Sequence, residues 1–199
     1  MFAAVLDTCV VYSGLRRDLL LTMSAQGVFR VVLSEDILFE IQYVEARKLR
    51  KQGATDVEAE SRADHLVAHL GGAFEVIDPR RVDLIGEVGL PDPGDEHVVA
   101  AALAGGADVI VTDNLKHFPK VRLPDGLRVQ GPKDFLHDMV TANPYDAVRA
   151  LLEMAARRQN PPQSEPDILD LLIVKGLALG ETTDLLKQAL GRWGSSERS

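Results

Sequence analysis

Apolar residues fall along this chain in two alternating patterns. One is the short, nearly unbroken run: FAAVL (2–6), FRVVLS (29–34), AFEVI (73–77) and ADVIVT (107–112). Runs of that length with so little polar face mark strands buried on both sides of a parallel sheet. The other is helical spacing. Val10, Val11, Leu15, Leu19, Leu20 and Met23 predict a helix over 9–26 that stops at Gly27. Ser34 is a good N-cap for a helix with Ile37, Ile41 and Val44 on one stripe. A further helix is expected over 55–70, and another opens at Asp92-Pro93 and ends at Gly105-Gly106. A last short strand covers 127–130. This alternation predicts an α/β fold with a parallel sheet and right-handed crossovers.

From Gly131 the strand signal ends. Helical patterns at 132–140, 144–158, 166–176 and 181–191 are separated by Asn143-Pro144, a loop over 160–166 and a loop at Gly180. The expected organisation is therefore a compact α/β domain over 1–132 and a helical C-terminal extension over 133–199, ending in a frayed GSSERS tail. There is no internal repeat and no GxGxxG, P-loop or CxxC motif.

Composition narrows the function classes. A net charge of −8 argues against a protein that simply coats nucleic acid, though not against an enzyme that binds it locally through a basic patch and cations. The one cysteine, Cys9, excludes an internal disulfide and suits a reducing compartment. No apolar run approaches membrane-spanning length and the start lacks a basic leader, so a soluble, cytoplasmic protein is expected.

Candidate chemistry collects at the ends of elements. Asp7 follows the first strand, and ligands bind in the crevice outside the carboxyl ends of parallel strands. Two readings stand for it: a site carboxylate, or a cap for the next helix. Glu40 shares the inward stripe of its helix and needs a partner or a metal there. Asp95 shares the sheet-facing stripe of the helix that Asp92 opens, near a capping box, and Asp113-Asn114 ends the strand at 107–112. Clustered carboxylates repel, and the usual remedy is a divalent cation. A donor set of oxygen alone selects Mg²⁺ or Mn²⁺, and such a cation activates water for in-line attack on a phosphodiester. No histidine or lysine is expected at a site position. Arg47, Lys48, Arg50 and Lys51 are either a solvated face or a phosphate-contacting patch. His65 and His69, four apart, lack a third ligand at suitable spacing and read as surface residues.

Asp7-Thr8, Glu40 in the helix after the second strand, Asp95 heading DEHVVAAALAGGADVIVT, and TDNLKHF (112–118) together resemble a PIN-domain ribonuclease, and most closely the VapC-type toxins of toxin–antitoxin pairs. The resemblance covers roughly 2–136. It implies a three-layer PIN-like fold with a central, mostly parallel sheet. It also implies a Mg²⁺- or Mn²⁺-dependent endoribonuclease acting on RNA, a small antitoxin partner, and frequently a homodimer. Asp7, Glu40 and Asp95 are then the metal ligands, with Thr8 and Thr112 as hydroxyls that orient Asp7. The family's fourth acidic position falls on Asn114, with Asp113 one residue early. Strand alternation puts Thr112 and Asn114 on one face, which favours Asn114 and leaves Asp113 as the alternative. A haloacid-dehalogenase-type phosphatase would need a second aspartate where Cys9 stands. A non-catalytic PIN-like module that binds RNA or protein is the other rival.

Overall fold

The first apolar run becomes the middle of a sheet. In the computed structural model, which describes residues 1–12, 14–78, 88–177 and 180–196, β1 (Ala3–Leu6) is buried throughout. Around it stand β2 (Arg30–Ser34), β3 (Val76–Ile77), β4 (Val109–Val111) and β5 (Arg128–Gln130), in the order β3-β2-β1-β4-β5. The registered pairs β1–β4, β2–β3 and β4–β5 are all parallel. Ala4 pairs with Val109, Val5 with Ile110 and Leu6 with Val111. The Asp108 carboxylate locks this register from below by accepting the Ala3 N–H at 2.8 Å. Asp7 and Thr112, the next residues on each strand, thus arrive level at the C-terminal edge.

Among the described residues up to 104, five α-helices accompany the strands: α1 (Thr8–Val11), α2 (Gly14–Ala25), α3 (Glu35–Lys51), α4 (Asp56–Ala73) and α5 (Glu96–Ala104). The expected helix over 9–26 is therefore two helices, with residue 13 outside the described set. The apolar spacing that runs through 9–26 carries no signal for the break. Ser34 caps α3 as expected, its hydroxyl accepting the Ile37 N–H. α4 runs on to Ala73, past its expected end near 70, and so shortens β3 to two residues. α5 packs on β1 and β4, and α3 pairs with α4 through Ala46, Leu49, Ala59 and Ala63. The turn expected at Asp78-Pro79 and the last residues of the tail lie outside the described residues.

The compact units do not follow the expected boundary throughout. One comprises Met1–Tyr12 and Val31–Gln130, the other Ser13–Arg30 and Gly131–Ser199. The switch after Gln130 lies close to the composition change, but α2 belongs with α6 (Pro132–Ala142), α7 (Pro144–Arg157), α8 (Glu165–Val174) and α9 (Gly180–Ser196). The reason is burial. Leu15, Leu19, Leu20 and Met23 make α2 a helix with one apolar face, and it packs on α7. Asp18 on α2 receives Nη2 of both Arg157 and Arg158, and the Phe29 ring meets Phe135 edge-on at 5.0 Å. No helix among the described residues is long and apolar enough to cross a membrane.

The end of α5 separates two uses of glycine. Gly106 has φ +59° and open space around its Cα, so only backbone handedness demands it. Gly105 has ordinary φ, but a Cβ there would stand 2.5 Å from Cγ1 of Val32 on β2 and 3.2 Å from Cγ1 of Ile77. Gly105→Ala should cost about 1–3 kcal/mol by overpacking, read as a lower denaturant midpoint with an unchanged slope. Asn, which tolerates the left-handed region, should be accepted at 106 and rejected at 105. Equal tolerance at both positions would contradict the steric assignment.

Candidate active site

Asp7 is buried at 5% exposure although nothing in its own strand pairs its charge. It occupies the N-cap position of α1 without making a side-chain cap hydrogen bond. Its Oδ2 instead accepts the Thr112 hydroxyl at 2.5 Å and the Cys9 thiol at 3.1 Å. The capping reading of Asp7 fails. Thr112, fully buried, also accepts the Asn114 N–H at 2.9 Å, and Cys9 Sγ accepts the Asp113 N–H at 3.3 Å. Burial, and then the Asp7 charge, push the Cys9 thiol up to about 12, so it stays a neutral donor.

Glu40 is half-buried. Its Oε2 accepts the Thr8 hydroxyl at 2.7 Å and lies 3.6 Å from His97 Nε2. Thr8 therefore orients Glu40 rather than Asp7, because the first turn of α1 carries its hydroxyl towards α3. At 3.6 Å the histidine contact is an ion pair rather than a hydrogen bond. His97 Nδ1 lies 2.7 Å from the Gly94 carbonyl, which can only accept, so Nδ1 carries a proton. His97, aided by Thr8, lowers the Glu40 pKa against the opposing effect of burial. Burial alone would lower the His97 pKa, but Glu40, the Gly94 carbonyl and Asp36 outweigh it and the net shift is upward.

Asp95 has the same freedom from capping as Asp7. The helix is opened by a 3₁₀ turn, Pro93–Asp95, whose cap is Asp92 accepting the Gly94 N–H. Asp95 makes no side-chain cap bond, so the near-capping box is not formed. Its Oδ2 meets His117 Nδ1 at 2.8 Å. Burial, and beyond it the charges of Asp7 and Asp92, raise the Asp95 pKa, while His117 pulls it down. Asp92, Asp95 and His117 each offer a ligand atom within 4.8 Å of the others. The expectation of a site without histidine is thus overturned. His97 and His117 both stand in segments that sequence reading singled out, but the direction of a side chain from a helix start or a 3₁₀ turn is not visible in spacing.

Asp113 is exposed and Asn114 half-buried, at the head of the 3₁₀ turn Leu115–His117. Of the basic run, Arg50 reaches Asp56 and Glu60 on α4. Lys48 contacts Glu45 and lies over the Tyr12 ring, Arg47 lies over the Tyr43 ring, and Lys51 is exposed. His65 and His69 are exposed on α4, as expected of surface residues.

The Glu40–His97 pair gives stability a pH signature. The raised His97 pKa contributes stability that is complete below its ordinary value of 6.5 and is lost as pH rises through the folded value. The lowered Glu40 pKa contributes stability present above 4.5 and lost as pH falls through the folded value. With the Glu40 side chain 42% exposed, the pair is worth at most about 1 kcal/mol. In chelator, unfolding midpoints of the wild type and His97→Gln should differ most near pH 6 and converge towards pH 9 (approximate values from the ordinary histidine range). A constant offset across that range would refute the pair.

Comparison with known proteins places this geometry. A sequence model of the PIN domain matches residues 3–116. A model of the VapC50 C-terminal domain matches residues 132–179. A Mycobacterium tuberculosis protein named "Putative ribonuclease VapC50" is 39% identical over 79 residues, 39% of this chain and 47% of that protein. The chain thus spans about half the length of the curated relative it matches. The family resemblance read from Asp7, Glu40, Asp95 and the segment at 112–118 holds: the chain belongs to the PIN-domain family, and residues 132–179 are similar to the VapC50 C-terminal domain.

Proposed function

We propose that this chain is a divalent-metal-dependent endoribonuclease, the toxin of a toxin–antitoxin pair, that hydrolyses phosphodiester bonds of RNA. The observation that carries the reading is that Asp7 acts on the Asp95 carboxyl while Thr8, next to Asp7, donates to Glu40, so that three carboxylates from three elements are linked at the end of β1. A partly aligned relative named as a ribonuclease supports it.

The residues fit a divalent cation. The charges of Asp7 and Asp92 help raise the Asp95 pKa, a repulsion that positive charge relieves. Asp7, Glu40 and Asp95 would hold it, with Asp92 and His117 beside Asp95 as further donors. Mostly oxygen donors suit Mg²⁺ or Mn²⁺, and an imidazole tilts the choice towards Mn²⁺. When bound, the cation supplies an acidified water and neutralises charge on the phosphate. Thr112 and Cys9 position Asp7 by donating to its Oδ2, and Thr8 and His97 fix Glu40. Asn114 takes the fourth position as a neutral amide, with Asp113 beside it. Arg47, Lys48 and Lys51 meet RNA phosphates, whereas Arg50 is anchored to α4. A small antitoxin that covers the site, a homodimer and a cytoplasmic setting complete the proposal.

A second reading, a PIN-like module that binds RNA or protein without cutting, is favoured by one observation: Asn114 stands where an acid is expected.

Mg²⁺ or Mn²⁺ at a hundredfold excess over its dissociation constant should stabilise the fold by about 2.7 kcal/mol. Asp7→Asn and Asp95→Asn should abolish the rise in melting temperature. An unchanged response in both would remove these residues as ligands.

Cleavage itself is tested by end-group analysis of RNA with and without EDTA. The expected products carry a 5′-phosphate and a 3′-hydroxyl, and EDTA or Asp7→Asn should stop their formation. With His97 and His117 at the site, attack through the 2′-hydroxyl has candidate bases, so cyclic-phosphate ends that persist in EDTA would decide against the metal. Absence of cleavage with intact RNA binding would establish the second reading. Asn114→Asp should preserve or raise activity, and Asp113→Asn should cost little. The reverse result would move the fourth position to Asp113.

A further inference from the structure

α3 leaves the site carrying aromatic rings into water. Phe39 is 70% exposed and Tyr43 60%, and Tyr12, just past the end of α1, is 43% exposed. Two of the chain's three tyrosines therefore lie at this surface. Glu40, Tyr43, Arg47 and Lys51 follow at i, i+3, i+7 and i+11, one face of a helix that rises about 1.5 Å per residue, so the face extends roughly 16 Å from the site carboxylate. The Thr8–Glu40 hydrogen bond ties α1 to α3 at its near end. On it Arg47 Cζ lies 5.8 Å from the Tyr43 centroid, and on the neighbouring flank of α3 Lys48 Nζ lies 5.5 Å from the Tyr12 centroid.

Exposed aromatic side chains beside the line that starts at Glu40 invite a partner, and the cation on that line decides which kind. A partner with an apolar face would have to strip water from the exposed Arg47 without pairing it, which is costly. A polyanion whose phosphates meet that cation while its flat bases cover the rings satisfies both groups at once. Paired bases hide their faces in the helical stack, so rings such as these serve only unpaired ones. We infer that Tyr43 and Tyr12, on either side of the line that starts at Glu40, form a base-stacking track for single-stranded RNA, leading to the carboxylate site, with Arg47 on the intervening phosphate. The inference rests on the ribonuclease reading and deepens it: the substrate is unpaired over the nucleotides beside the scissile bond, and recognition there tolerates sequence, because every base has a face to stack.

The test separates bases from phosphates. A short, labelled single-stranded RNA of mixed sequence and its abasic counterpart are compared by fluorescence anisotropy with the full chain. Ca²⁺ is present to neutralise the carboxylates, and RNA integrity is checked on a gel. Stacking predicts that removing the bases weakens wild-type binding about 5- to 100-fold, and that annealing a complementary strand does the same. Tyr12→Leu/Tyr43→Leu should erase the difference between the two RNAs, and Tyr12→Phe/Tyr43→Phe should keep it. These side chains are solvent-facing, and unchanged melting temperatures confirm that the variants fold. Equal binding of intact and abasic RNA, equal binding of the duplex, or a Leu variant that still prefers bases overturns the inference. So does a wild type that binds neither RNA, which would leave this face to a protein partner. Metal-dependent cleavage without base dependence overturns the track and leaves the nuclease standing. Base-dependent binding without cleavage supports the track and removes the nuclease.

Discussion

The hydrogen bond from Thr112 to Asp7 depends on the pairing of β1 with β4, and the rest of the site depends on that bond. Taking a carboxylate out of water costs several kcal/mol unless donors replace the lost hydration. The donors here are a hydroxyl and a thiol, both delivered by backbone already fixed for other reasons. Leu6 opposite Val111 sets Asp7 opposite Thr112, and Ala3 bonded to Asp108 in both directions pins the far end of the same pair. A slip of one residue would turn the hydroxyl to the other face of the sheet. The carboxylate is therefore positioned by strand register, the stiffest element available, and not by a loop.

Both donors are neutral, and that choice has an electrostatic consequence. They keep Asp7 solvated without cancelling its charge, and the charge is felt at Asp95, whose pKa burial, Asp7 and Asp92 push upward. The histidines stand one step further out, His97 beside Glu40 and His117 beside Asp95. Each flanking carboxylate is thus held in place by a ring nitrogen, Glu40 by His97 Nε2 at 3.6 Å and Asp95 by His117 Nδ1 at 2.8 Å.

What could be read in the sequence follows from how local each feature is. β1, β2 and β4 were legible because both of their faces are buried, so their apolar runs are almost unbroken. Asp7, Glu40 and Asp95 were legible because each is set by its place at the end or on the face of an element. The capping box at Asp92 was plausible and absent, since a 3₁₀ turn took over the start of α5 and left Asp95 outside the cap. The partner of Thr8 was misassigned because a hydroxyl one residue past a strand can swing to either neighbour. The allegiance of α2 was hidden for a similar reason. Its apolar face looks the same whether it covers the sheet or α7, and contacts such as the Asp18 pairs with Arg157 and Arg158 reveal which.

The basic run on α3 shows how helix geometry divides what a sequence presents as one feature. Arg47, Lys48, Arg50 and Lys51 lie within five residues, yet a rotation of about 100° per residue sends them to different neighbours. Arg50 reaches Asp56 and Glu60, one turn apart on α4, and so braces the helix pair whose interface is otherwise small alanines and a leucine. Lys48 turns to Tyr12 and to Glu45 on its own helix. Arg47 falls on the face that starts at Glu40, over Tyr43. The solvated-face and phosphate-patch readings of this run were therefore never exclusive. Three of the four cations have a structural neighbour, and those on the Glu40 face keep their charge beside exposed rings. Net charge hides this, because a chain at −8 can still present a short positive track wherever a helix face collects its cations and another helix consumes the acids.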